Sequence, residues 1–359
     1  MKRRFNLNGQ KSYPKRDVAI VRYFLPSAQN IKPLSISIDT ISSSLAKREP
    51  IRAYEVFVGN VTKGIVIKDK SSRIILNGAK LLSQRTVSFA SILRARRILG
   101  YNNSYKREAR LYSGVDDELR VYLPHFYGHK ASIGETTIVY GAFPDSLPVS
   151  EGEIKRCLKT IAIFHAHYYG KIEVVSDLGL NSYSAADYRK AKKMLFGFAH
   201  RNARRELKVY GAELVRKLGD FVEKIDEEYE VVQDHRTLTH NDFSKRNVCV
   251  TKTGCIFYDW ELACYQNPEH DLVDFLCSAI DENTSAQKIR EYVSIYFNEF
   301  EKLAKVSIDE EQRKKYLRFN LYEFAVNRLA ILQIYEARHA RSFVEESMRN
   351  LRRITEAVL

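Results

Sequence analysis

Along the 359-residue chain the spacing of apolar positions changes near residue 145. From about residue 51 to 142, short β-branched or aromatic runs recur at 53–58, 64–67, 73–76, 87–93 and 136–140. Turn residues such as Gly59-Asn60 and Asn77-Gly78 separate them, the texture of short paired strands. One helix is expected among them at 104–112, polar with apolar positions at helical spacing and with cap candidates Asn102, Asn103 and Ser104. After Pro148 the period becomes helical. Ser150 followed by Glu153 has the capping-box spacing, and Ile154, Cys157, Leu158, Ile161, Phe164 and His165 then recur on one face. Helical texture continues over 183–228, two short strands are expected in 238–259, and 271 to the end is helical again. The pattern predicts an α+β protein with a small β-rich lobe at 46–145 and a larger, mainly helical lobe at 146–359. Residues 1–45 read as an N-terminal extension without an assigned role, with a short strand at 18–25.

Composition changes this picture little. Apolar residues are 45% and charged residues 28% of the chain, which is ordinary for a protein that buries a core. Charge says more: 58 basic against 44 acidic side chains leave a formal net charge of +14, a surplus that attracts anions. Part of it is a basic tract from Arg189 to Lys217. A solvated helical face accounts for such a run, and its aromatics come without an RNA-binding signature. Nucleic acid is therefore not expected as a partner. The five cysteines show no C-x-x-C spacing, which points to reduced thiols in a cytoplasmic setting. No run approaches the ~20 apolar residues of a membrane span, and the N-terminus lacks the pattern of a secretory signal.

The segment that carries chemistry is Leu238-Thr239-His240-Asn241-Asp242-Phe243-Ser244-Lys245-Arg246-Asn247-Val248, of the form H-x-D-x-x-x-x-N. Seventeen positions after Asp242, a strand-like run delivers Asp259-Trp260-Glu261. Phosphoryl transfer needs mainly positioning and charge stabilisation. Asp242 can orient an acceptor hydroxyl and take its proton. Asn247 and Asp259 supply the hard oxygens that magnesium prefers, and His240 can hold the loop through its ring.

This set resembles the catalytic core of the protein-kinase-like superfamily, and more closely that of the aminoglycoside phosphotransferase and choline kinase family. Asp259-Trp260-Glu261 resembles the family's D-[FW]-E metal motif, Asp271-Leu272-Val273-Asp274-Phe275 its D-L-x-D-F helix start, and Ile161-Ala162-Ile163-Phe164-His165-Ala166 its L-A-x-L-H-A helix. The resemblance implies a two-lobed kinase-like fold and an ATP- or GTP- and Mg2+-dependent transfer to a hydroxyl of a small molecule: an aminoglycoside, a sugar, an amino-alcohol or a related metabolite. It also implies that Asp271 braces the loop. A small acceptor is favoured over a protein, because twelve positions between Asp259 and Asp271 leave no room for a protein-kinase activation segment. Ser244 moreover stands where protein serine/threonine kinases carry a lysine.

In the small lobe the resemblance implies a strand lysine on the nucleotide phosphates, paired with a helix glutamate. Tyr105 to Tyr112 resembles the family's Y-x-R-E-x-x-x-Y helix, which makes Glu108 the glutamate. Arg94, fourteen positions earlier, occupies the expected lysine slot; Lys80 and Lys68 also follow strand-like runs and stay open. The 59–64 turn is either a phosphate cover or an ordinary hairpin. Val139 and Gly141 fall where the inter-lobe hinge would read the nucleotide base. The lack of an evident lysine keeps a pseudokinase or nucleotide-binding scaffold as an alternative.

Overall fold

The computed structural model describes residues 15–34, 51–72, 102–143, 149–191, 208–252, 254–329 and 343–359, with Ala90, Leu93, Arg97, Ile98, Gly100 and Leu332 between them. The small lobe is an antiparallel five-stranded sheet in the order β1-β2-β3-β5-β4. Its strands are β1 (Ala28–Leu34), β2 (Ile51–Val58), β3 (Val61–Ser71), β4 (Phe126–Ser132) and β5 (Glu135–Gly141). Both of its faces are covered. Val66, Ile138 and Tyr140 pack with the core that includes Ala109, Leu111 and Tyr112 of helix α2 (Ser104–Gly114). Tyr54, Val56, Ile65, Ile67 and Val139 form a separate core on the other side with Val21 of helix α1 (Lys15–Phe24).

Two expectations change here. Residues 18–25 lie in α1 and a turn rather than in a strand, because Val21 and Phe24, three positions apart, both reach the sheet. Residues 15–34 also belong to the small lobe, not to an extension outside it: β1 pairs antiparallel with β2. Gly128 in β4 marks how closely α1 lies, since a Cβ there would sit 2.4 Å from the Phe24 ring. Gly59-Asn60 is the two-residue turn of the β2–β3 hairpin, with Val58 opposite Val61 and Gly59 at φ +60°.

The larger lobe is helical. Helix α3 (Glu151–Tyr168) begins where the capping pattern places it, although the Ser150 hydroxyl bonds the Glu153 carboxylate instead of a backbone amide. It packs against α6 (Ala286–Ala304), while α5 (Glu269–Ala279) lies between α7 (Glu310–Phe324) and α8 (Phe343–Val358). Helix α4 (Ala212–Glu223) buries Leu214, Leu218, Phe221 and Val222 against the same core. Short strands frame the site: β6 (Asn181–Ser182), β7 (Thr237–Thr239) and β10 (Cys264–Gln266) form one sheet, and β8 (Val248–Val250) with β9 (Cys255–Phe257) form another. The five cysteines are buried and none is in a disulfide. Among the described residues no helix is long and apolar enough to cross a membrane. This is the mixed α+β, two-lobed arrangement that the sequence pattern predicts.

Candidate active site

Strand β7 runs into the loop from His240 to Asn247, and the first turn of α5 fixes that loop from below. The buried Asp271 carboxylate accepts the amide of His240 at 2.6 Å and that of Asn241 at 2.8 Å, and its Oδ2 lies 3.1 Å from His165 Nε2. Burial alone would raise this carboxyl, but its bond to His165 and the neighbouring histidines hold it below the usual carboxylate range. Asn241 sits at φ +60°, a left-handed conformation that Asn tolerates better than most residues, and it is tied on both sides of its amide by Gln266 and Leu262. These bonds turn Asp242 toward the cleft, where its side chain is one-fifth exposed. His240 is fully buried, with Nε2 2.9 Å from the Tyr258 carbonyl and its ring 4.5 Å from Trp260. It ties the loop to the segment that follows β9. Asn247 donates its amide to the Asp242 carbonyl at 2.8 Å, which commits the nitrogen inward and leaves the side-chain oxygen as the group a cation could use.

Two residues past the end of β9 lies Asp259, also left-handed at φ +68°, and Trp260 anchors the turn by donating its indole N–H to the Phe257 carbonyl at 3.1 Å. Asp259 thereby points back at β3. There the buried Lys68 ammonium lies 2.7 Å from Asp259 Oδ1 and 2.7 Å from Glu108 Oε2. Among the described residues, the partner of Glu108 is Lys68. Arg94 and Lys80 lie outside the described residues, and the Glu108 carboxylate, buried in α2 and bonded also by the Tyr112 hydroxyl at 3.1 Å, is taken up by Lys68. Lys70, two positions on along the same face of β3, pairs with Glu261 and lies 3.5 Å from Asp259. Burial would raise the Asp259 carboxyl, yet the two lysines hold it far below its usual range. Burial would likewise lower Lys68, and Asp259 and Glu108 overcome that and keep it cationic.

Five ionisable groups from β3, α2 and the metal turn, Lys68, Lys70, Glu108, Asp259 and Glu261, thus meet beside the loop that carries Asp242 and Asn247; carboxylate and amide oxygens can hold a divalent cation and a paired lysine can hold phosphate. The comparisons with known proteins agree with this geometry. Residues 172–306 match the sequence profile of the phosphotransferase enzyme family. That segment contains the Asp242 loop, the Asp259 turn, α5 and α6, so the kinship read from the motifs is borne out. Among solved structures, a spectinomycin phosphotransferase in complex with ADP and spectinomycin aligns over 97% of this chain and 99% of its own, at 11% identity and a TM-score of 0.53. The choline kinase LicA from Streptococcus pneumoniae covers 96% and 98%, at 12% identity and a TM-score of 0.49. No curated protein sequence matches.

Further charged groups surround Asp242. Helix α7 ends in a π-turn, Ala325–Leu329, from which Arg328 reaches Asp242 Oδ1. Asp274, buried in α5, has its carboxyl pushed up to about 7 by burial and by the nearby Asp242 charge, against the opposing pull of Arg328. His270 Nδ1 is 3.1 Å from Glu323, which accepts the Asn327 amide at 2.7 Å. Arg328 carries no local signal in the sequence.

The hinge candidates fare differently. Val139 is fully buried in the core beneath α1, and the Gly141 amide donates to the His125 carbonyl at 2.8 Å, so that N–H is already engaged. The 59–64 segment is the hairpin turn. Lys68 lies eight residues up the strand from Asn60, about 25 Å at strand rise, too far for that turn to cover its phosphates.

Proposed function

We propose that this protein transfers the γ-phosphate of ATP or GTP to a hydroxyl of a small molecule, with magnesium. The observation that carries the reading is Lys68, buried between Glu108 and Asp259. Three elements distant in sequence converge there on the charges a bound polyphosphate needs, which favours a catalytic reading over a pseudokinase. Lys68 holds the α- and β-phosphates while Glu108 keeps its ammonium in place. Asp259 and the Asn247 side-chain oxygen would hold magnesium, which would supply charge stabilisation to the phosphate oxygens. Asp242, fixed by Asp271 through the loop amides, aligns the acceptor hydroxyl and receives its proton as the oxygen attacks in line. His240 positions the loop. The spectinomycin phosphotransferase, whose structure holds ADP and spectinomycin, supports a nucleotide and a small acceptor in this cleft. The separation of Asp259 from Asp271 by twelve positions likewise favours a small acceptor.

The test is nucleotide consumption with Mg2+ against a panel of sugars, amino-alcohols and aminoglycosides, alongside Asp242→Asn. Turnover by the variant should fall about 10²–10⁴-fold, the usual worth of a general base, with Mg·ADP affinity nearly unchanged. Wild-type turnover rates in Asp242→Asn would sink the role given to Asp242.

A further inference from the structure

The proposed mechanism employs one small-lobe lysine, yet β3 buries two on the cleft face. Lys68 and Lys70 are 2% and 8% exposed, and full burial of a second ammonium is costly unless it is paired. Both contact the same oxygen, Asp259 Oδ1, at 2.7 and 3.5 Å. Their other partners differ: Lys68 is held by Glu108 of α2, within its own lobe, whereas Lys70 is held by Glu261, in the metal turn of the opposite lobe. Lys70 reaches Glu108 only at 4.0 Å. Three carboxylates therefore face two ammonium groups. If each lysine keeps its own partner, Asp259 is the carboxylate left over.

We infer that Lys70 is a positioning residue for the metal–nucleotide complex, acting through its inter-lobe pair with Glu261. This rests on the phosphotransferase reading of the same cleft. Arrival of a cation at Asp259 must loosen the contacts that Lys68 and Lys70 make with it, two of the three ion-pair bridges between β3 and the metal turn. The Lys70–Glu261 pair is the bridge that persists. It keeps the turn at the right distance from β3, and it keeps the Glu261 carboxylate, two residues from Asp259, away from the cation. Arg107 supports the same turn from α2, donating to the Glu261 carbonyl at 2.7 Å, so Glu261 is gripped at both backbone and side chain. Lys70 in this role touches no phosphate, and that separates it from Lys68.

The experiment is a double-mutant cycle on the full chain, read by equilibrium binding of Mg·ADP and of ADP without metal. Lys70→Met alone should weaken Mg·ADP binding about tenfold while changing metal-free ADP little, because the orphaned Glu261 competes for the cation. Lys70→Met with Glu261→Gln should recover to within about threefold of Glu261→Gln alone, and Lys70→Arg should bind nearly as wild type. Additive losses, with metal-free ADP weakened as much as Mg·ADP, would overturn the inference and make Lys70 a phosphate contact. Unchanged Mg·ADP binding in Lys70→Met would overturn it outright. A wild-type protein that binds no Mg·ADP would instead remove the phosphotransferase reading on which the inference stands. Circular dichroism and the thermal midpoint of each variant separate misfolding from a binding defect.

Discussion

At the scale of single residues, the cleft is defined by charges that burial makes expensive and neighbours make tolerable. Lys68 and Asp259 are kept ionised by one another, whereas Asp274 is not rescued in this way: burial and the Asp242 charge raise its carboxyl from 3.8 to about 7. The folded protein therefore retains a proton, between those two values, that the unfolded chain has released. Folding stability falls as pH rises through that window and levels off above it. Asp274→Asn removes the titrating group without changing its shape. Relative to wild type it should gain on the order of 2–4 kcal/mol in unfolding free energy between pH 5 and pH 8, measured by urea denaturation at each pH. A difference that stays flat over that range would show that Asp274 does not carry the shift. Lys68 shows why residue roles are read unevenly from sequence. Its strand signal, Val66-x-Lys68-x-Lys70 on one face, was present, but three basic residues followed strand-like runs. Which one meets Glu108 depends on how β3 lies against α2, and that is a tertiary fact. Arg328 left still less trace, since a lone arginine on a late helix looks like any solvated one.

At the scale of elements, the loop from His240 to Asn247 and the first turn of α5 form one unit. Asp271 supplies both carboxylate oxygens to loop amides and a third bond to His165 of α3. This unit was legible because its chemistry demands fixed residue types at fixed short spacings, with the brace following within a few turns of chain. The sheet was legible only in part. Strands β2, β3 and β5 have apolar alternation strong enough to read, whereas β4 is an edge strand, mostly exposed and bulged between Phe126 and Gly128, so its period is broken. Asp271→Asn keeps the shape of the brace but turns an N–H toward one of the two loop amides. The loop should then shift by a fraction of an ångström, and misplacement on the ångström scale can cost about 100-fold in rate. Turnover should fall by roughly that factor, with Mg·ADP affinity changed far less, because Lys68 and Glu108 belong to the other lobe. Equal losses in turnover and nucleotide affinity would mean that Asp271 supports the whole cleft rather than the loop.

At the scale of the whole molecule, the lysine strand is held from both sides. Its cleft face carries Lys68 and Lys70; between them Asp69 points to the opposite face, bonded by Thr137 at 2.6 Å, Arg52 at 2.8 Å and Arg16 of α1 at 3.1 Å. Asp17 of α1 completes this network. It is buried, accepts Arg52 Nε at 2.6 Å and the Tyr54 hydroxyl at 2.5 Å, and raises the ordinary pKa of that tyrosine together with burial. The sequence pattern did not reveal that α1 belongs to the fold, because the helix buries only a narrow stripe against the sheet and much of its anchorage is ionic. Asp17→Ala tests this directly. Removing one member of a buried pair typically costs 3–5 kcal/mol, and Arg52 retains Asp69, so the loss should sit near the lower end, at about 3 kcal/mol. Urea denaturation should show the midpoint falling accordingly. Arg52→Met combined with Asp17→Ala should recover part of the loss, since no charge is then left uncompensated. A midpoint unmoved by Asp17→Ala would reduce α1 to an appendage of the small lobe. The expected fall would make it the backing on which β3, and with it Lys68 and Lys70, is carried.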